Sequence, residues 1–126
     1  MLTAIADEIL IPLLLAPFYK GYSHANTALS VLGSVGSPVR LAYNLWMLAA
    51  GLLFLLSLPA LYGAFQVAAP GLGIACVVCV AVFALGACLF SCFFSTGKTK
   101  DTVTTASTIH GIGSVMGFML LVLALL

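Results

Sequence analysis

Residues 41–66, LAYNLWMLAAGLLFLLSLPALYGAFQ, form the stretch that decides the fold. The stretch contains no charged side chain, and it exceeds the roughly 20 apolar residues that a helix needs to cross a bilayer. Comparable apolar runs cover residues 71–96 and 108–126. Because three such runs recur in one chain, the sequence predicts a protein that crosses the membrane several times.

A fourth apolar segment, residues 2–19, is shorter and is interrupted by Pro12 and Pro17. It also carries Asp7 and Glu8, which we expect at or beyond the membrane edge, since a charge near the bilayer centre is costly. The segment either crosses as a short, bent helix or enters only the interface. We predict an all-α integral membrane helical bundle, a single transmembrane domain with four spans of which the first is short and bent.

The composition of the 126-residue chain supports a membrane location. Hydrophobic residues make up 63% and charged residues 6%, with a mean hydropathy of +1.28, whereas roughly a quarter of the residues in an ordinary soluble domain are charged. The net charge of +1 provides no basic surface for nucleic acid. A signal peptide would carry positive charge where Asp7 and Glu8 stand, so we treat the N-terminal segment as part of the mature fold.

The basic residues predict the orientation. Lys20 and Arg40 flank the first loop, residues 20–40, and two lysines lie in the third loop, residues 97–107. Basic loops tend to remain in the cytoplasm. We therefore expect both loops to face the cytoplasm and, with four spans, both chain ends to lie outside.

Residues 23–33 have the spacing of an amphipathic helix. Ala25, Ala28, Leu29 and Leu32 fall on one helical face, and polar side chains occupy the other. We expect a short interfacial helix that lies on the membrane surface with its apolar stripe towards the lipid.

Polar side chains from this helix, from the second span and from the start of the last span are predicted to meet at one membrane face. An ionisable residue at the membrane edge is a candidate for function, so we predict a polar pocket that binds a lipid head group or a small polar ligand. The alternative is that these side chains only solvate a surface loop. The candidate ligand-binding residues are Ser23, His24, Asn26, Ser30, Asn44 and His110.

A metal site and a complete catalytic motif are not indicated. Catalytic zinc takes three protein ligands, whereas this face offers two histidines and Asp101, and the four-span arrangement puts Asp7 and Glu8 on the opposite side. We predict no metal and no cofactor. Ser23 and His24 are adjacent in sequence and would not face each other on a helix. The sequence therefore contains no complete catalytic motif that would support a membrane hydrolase activity.

Small residues predict close helix packing. Gly113 and Gly117 form a GxxxG pattern that lets another helix approach, either within the chain or in a homo-oligomer. We interpret the four cysteines in residues 76–92 as packing residues.

Two other functions stay open: a small dimeric transporter or channel, although the clear spans lack charged residues, and a structural subunit of a larger membrane complex.

The polar stretch GYSHANTALSVLGSVGSP, residues 21–38, followed by Asn44 and His110, resembles the uncharacterised prokaryotic membrane family catalogued as domain of unknown function 998. Val31 stands where that family often has an acidic residue, and FFST replaces its Phe-Pro-Asp-like ending. Its members look longer, with about six spans, so the chain is either a short member or a truncated product. The resemblance implies a membrane fold in a prokaryotic plasma membrane, with membrane lipids as partners, but no established activity.

Overall fold

The protein is built from helices joined by turns. The computed structural model describes residues 2–94 and 105–123, and within those ranges it contains helices and no strand. Most of the predicted loop 97–107 and the end of the predicted span 108–126 lie outside the described residues.

In the part of the chain that the structure describes, four helices form the bundle: α1, Leu2–Leu15; α2, Arg40–Phe65; α3, Pro70–Phe93; and α4, Thr105–Leu123. Helices α2 and α3 are long and apolar enough to cross a membrane, and α4 contains a shorter apolar stretch, Ser107–Val122. The 14 residues of α1 extend only about 21 Å at the helical rise of about 1.5 Å per residue, which is shorter than a bilayer core of about 30 Å.

The core lies where α2, α3 and α4 meet. The ring of Phe83 on α3 packs edge-on against Phe54 of α2, with centroids 5.2 Å apart, and against Phe118 of α4 at 5.3 Å. Such edge-to-face pairs add to the energy of apolar burial. Phe83 therefore joins the three longest helices at one point.

Glycines allow α3 and α4 to cross in backbone contact. A Cβ atom built on Gly86 would lie 2.6 Å from the carbonyl oxygen of Gly113, and one on Gly113 would lie 2.8 Å from that of Gly86. Gly117 lies one turn along α4, against Ala87 and Phe83. The GxxxG face thus packs against another helix of the same chain.

Helix α3 contains an insertion that lies beside this crossing. Residues Ala84–Leu89 form a π-helical turn between the α-helical parts Pro70–Phe83 and Phe90–Phe93. A π turn holds one extra residue in the helix and is frequent at functional sites. It changes the register of the last part of α3 relative to the first.

The predicted interfacial helix over residues 23–33 is wrong for most of its length. Only Leu29–Gly33 is helical, as a short 3₁₀ segment. The amides of Asn26 and Thr27 both bond the carbonyl of Ser23 in a turn, and Ala28 is extended. Polar side chains of this kind favour turns over helices because they compete for backbone hydrogen bonds.

The outer surface of the bundle is largely apolar. Leu41 and Leu56 on α2 are 74% and 76% exposed, and Phe93 at the end of α3 is 70% exposed. Further exposed apolar side chains follow α1 and α4. Patches of this extent mark a surface that contacts lipid or another apolar partner.

Candidate functional site

A cavity of about 250 Å³ lies between the helices, at the end of the bundle where α2 begins and α3 ends. All four helices and the 3₁₀ segment contribute to its wall. The lining residues are Glu8 from α1; Ala28, Leu29 and Ser30 from the first loop; Tyr43 and Met47 from α2; Phe83, Ala87 and Ser91 from α3; and His110, Ser114 and Phe118 from α4.

The wall combines an apolar side with polar groups of several kinds. The polar groups are a carboxyl, an imidazole, a phenol and three hydroxyls, and no lysine or arginine is among the described lining residues. Sites for small molecules have this mixture of apolar surface and a few polar groups that fix orientation.

The carboxyl of Glu8 is partly buried in the bundle. The thiol of Cys88 on α3 donates to Glu8 Oε1 over 3.9 Å, and Glu8 lines the same cavity as His110. The expectation that Glu8 lies on the opposite side from the histidines is therefore wrong. The physical reason is that the middle of α1, rather than its end, packs beside the cavity.

His110 is a buried ionisable group in the cavity wall. Its side chain is 9% exposed, and its ring is within hydrogen-bonding reach of the backbone of Phe94 and Ser91. Within residues 2–94 and 105–123, its Nδ1 atom is buried and has no hydrogen-bond partner. A buried polar atom without a partner is costly.

Two hydroxyls join α3 to α4 beside His110. The Oγ atoms of Ser91 and Ser114 are 3.3 Å apart, and either can donate. Ser91 follows the π turn Ala84–Leu89, and Ser114 follows Gly113, which contacts that turn. The glycine crossing and the π turn therefore bring this serine pair to the cavity.

The structure brings together two of the six candidate residues predicted from the sequence. Ser30 and His110 line the cavity, whereas Ser23, His24 and Asn26 belong to the turn outside it. His24 is exposed, and its Nδ1 lies 3.3 Å from the hydroxyl of Tyr22.

The Tyr22 hydroxyl and His24 Nδ1 form a hydrogen bond within the first loop, and the imidazole tautomer decides which of them donates. Partial burial raises the pKa of the Tyr22 phenol. His24 therefore has a partner in its own loop, and its imidazole is held away from the cavity.

Asn44 lies beneath the first loop rather than in the cavity wall. A Cβ atom on Gly33 would lie 2.6 Å from Asn44 Oδ1 and 2.8 Å from Tyr43 Cδ1. Asn44 Oδ1 is buried without a hydrogen-bond partner among the described residues. The close approach of Gly33 positions the 3₁₀ segment, and with it Ser30, over the start of α2.

Sequence reasoning missed four polar lining residues: Glu8, Tyr43, Ser91 and Ser114. The signal for Glu8 was present, because an acidic residue inside an apolar run is a functional candidate by default. The two serines gave no signal of their own, since small polar residues are common where membrane helices pack.

The described residues contain no group of three or more His, Cys, Asp or Glu side chains that could hold a metal ion. The four cysteines form no disulfide, and Cys76 and Cys88 are buried. Cys88 is buried among packed side chains, and its thiol also contacts Glu8.

Comparison with known proteins identifies a family. The family model described as protein of unknown function DUF998 matches residues 5–126. No curated protein and no solved structure matches the chain. Since the match covers nearly the whole sequence and confirms the resemblance carried by residues 21–38, the chain belongs to the DUF998 family.

Proposed function

We propose that the protein is a multi-pass integral membrane protein that binds a small polar ligand or a lipid head group in the cavity beside His110. The observation that carries this proposal is the cavity itself, whose wall combines the Glu8 carboxyl, the His110 imidazole and three serine hydroxyls with an apolar side. Polar groups of several kinds that meet at one cavity can fix the orientation of a bound molecule.

The proposed membrane arrangement has four crossings, with loops 20–40 and 97–107 on the cytoplasmic side of a prokaryotic plasma membrane. The apolar exterior and the two long apolar helices support it. The short α1 would cross with the help of the adjoining 3₁₀ turn Ala16–Phe18 or with local thinning of the bilayer.

Cysteine labelling tests this arrangement. In a variant without native cysteines, a single cysteine at Lys20 and one at Val67 in the α2–α3 connection should react with a membrane-impermeant maleimide from opposite sides. Labelling of both positions from the same side would overturn the arrangement.

Native mass spectrometry of the purified protein tests the binding proposal. The wild type, released gently from detergent, should retain one defined small molecule, and His110→Ala should lose it. His24→Ala is the matched control, because His24 is exposed and pairs with Tyr22 outside the cavity. A wild type that retains no molecule, or equal retention by both variants, would refute the proposal.

A small dimeric transporter is the second candidate, and Glu8 favours it. The absence of charged residues from the clear spans argues against ion coupling, but Glu8 supplies an ionisable group beside the cavity. Ionisable residues within membrane helices commonly belong to substrate or proton pathways. Since Gly113 and Gly117 already contact α3, a dimer would require another face. Flux of an accumulated substrate in liposomes, abolished by Glu8→Gln, would distinguish transport from binding alone.

A further inference from the structure

We infer that the ligand carries a protonated amine on a short apolar body, and that the Glu8 carboxylate is its counter-ion. This inference rests on the proposed binding function and specifies the chemistry of the ligand. It follows from the charge of the cavity wall, from the contacts of Glu8 and from the aromatic surface opposite the polar groups.

The charge of the wall favours a cation. Glu8 is the acidic residue of the lining, and no lysine or arginine balances it among the described lining residues. A carboxylate in a poorly solvated site is costly unless it is paired with a cation or takes up a proton. A phosphate or carboxylate group in contact with Glu8 would place a second negative charge beside the first, whereas an ammonium group at that position would neutralise it.

The carboxyl of Glu8 can accept a stronger hydrogen bond than the one that it receives from the Cys88 thiol. Its hydrogen bond from Cys88 Sγ is 3.9 Å long, and a thiol is a weak donor. An ammonium group has three N–H donors and forms short, charge-assisted bonds to carboxylates. Tyr43 and Ser30 also line the cavity, and hydroxyl groups of this kind can accept hydrogen bonds from an ammonium group.

The other side of the cavity suits an apolar body of limited size. Met47, Phe83 and Phe118 contribute the apolar wall, and the two phenylalanine rings meet at 73° with centroids 5.3 Å apart. Aromatic faces attract cations as well as apolar groups. The volume of about 250 Å³ lies below the range of about 300–1,000 Å³ that is typical of sites for drug-sized ligands. It is suited to a short alkylamine or to the aminoethyl head group of a lipid.

Calorimetric titration of the protein in maltoside micelles tests the inference with three probes of equal chain length: hexylammonium, hexanol and hexanoate. Hexylammonium should bind at least about tenfold more tightly than hexanol, a difference of about 1.4 kcal/mol, and hexanoate should bind most weakly. Glu8→Gln should abolish the preference for hexylammonium, and Glu8→Asp should keep it. Asp7→Asn is the matched control, since it removes the same charge one residue away from the cavity lining.

Lipid and free amine are then distinguished in nanodiscs that contain equal amounts of phosphatidylethanolamine and phosphatidylglycerol. A bound phosphatidylethanolamine molecule that survives release of the wild type, and is lost from Glu8→Gln, identifies a lipid head group. Binding of hexylammonium without a retained lipid identifies a free amine. Both results support the inference.

Two results overturn it, and they differ in what they say of the proposed function. If the three probes bind equally well and Glu8→Gln changes none of them, the cavity binds ligands but does not select amines. If no probe and no lipid binds, the amine inference fails, and retention of another molecule that His110→Ala loses would still preserve the binding function. The probe preference of the wild type decides the question even if Glu8→Gln does not fold.

Discussion

Replacing Gly113 with alanine tests the helix crossing that frames the cavity. The new Cβ atom would lie 2.8 Å from the carbonyl oxygen of Gly86, and 3.3 Å from its carbonyl carbon and Cα, whereas ordinary van der Waals contact begins at 3.4 Å. The neighbour is backbone and cannot rotate away. Helices α3 and α4 must therefore separate by about 0.6 Å at the crossing, and a gap of this size loses about a quarter to a half of each contact's dispersion energy.

We expect Gly113→Ala to lower the free energy of unfolding by about 1–3 kcal/mol, the usual cost of an overpacked core. The substitution should also weaken ligand retention, because Ser114 follows Gly113 and its 3.3 Å contact with Ser91 would lengthen beyond hydrogen-bond distance. Unfolding by denaturing detergent, followed by circular dichroism, measures the first effect, and native mass spectrometry measures the second.

Gly111→Ala provides the matched control on the same helix. A Cβ atom at Gly111 has no neighbour within 4 Å among residues 2–94 and 105–123, and alanine has the higher helix propensity by about 1 kcal/mol. This variant should be as stable as the wild type or slightly more stable. Equal losses of stability in the two variants, or no loss in Gly113→Ala, would refute the packing argument.

Two further substitutions test how the wall of the cavity is held. Ser91→Ala should lower the free energy of unfolding by about 0.6 kcal/mol, the average for a side-chain hydrogen bond between membrane helices, and should reduce ligand retention. Ser57→Ala is the control and should leave retention unchanged, because the Ser57 hydroxyl donates to a carbonyl of its own helix. Gly33→Ala should cost about 1–3 kcal/mol in the same unfolding assay, since its Cβ atom would lie 2.6 Å from the side-chain oxygen of Asn44 and 2.8 Å from the ring of Tyr43. Gly71→Ala should be neutral, because its Cβ atom would meet no atom of the described residues within 4 Å. Unchanged stability in Gly33→Ala would show that the first loop is not docked by this contact.

The long helices were predictable because a single physical signal specifies each of them. The apolar run 41–66 corresponds to α2, Arg40–Phe65, since a continuous apolar segment of that length satisfies its backbone only as a helix in lipid. Residues 23–33 carry a conflicting signal. Their apolar spacing is helical, but Ser23 and Asn26 offer the backbone turn hydrogen bonds, and local bonding prevails where too little apolar surface is buried to offset it.

The candidate site could be predicted only in part, because its residues come from segments far apart in the sequence. Ser30 and His110 followed from a shared membrane face, and both line the cavity. The position of Glu8 depends on how α1 packs, and the apolar residues of α1 surround the helix too evenly to show which face turns inwards.

The π turn and the glycine crossing together explain why a cavity exists at this place in a bundle of small residues. Close backbone contact between Gly86 and Gly113 would ordinarily bring the following turns of α3 and α4 together as well. The extra residue in Ala84–Leu89 changes the register of α3 after the crossing, so that Ser91 faces Ser114 across 3.3 Å. The space beyond this pair is enclosed by α1 and the first loop, which contribute Glu8 and Ser30. An arrangement that places a carboxyl and an imidazole in the wall of one cavity is costly as a packing solution alone, and this cost is the physical argument for a ligand.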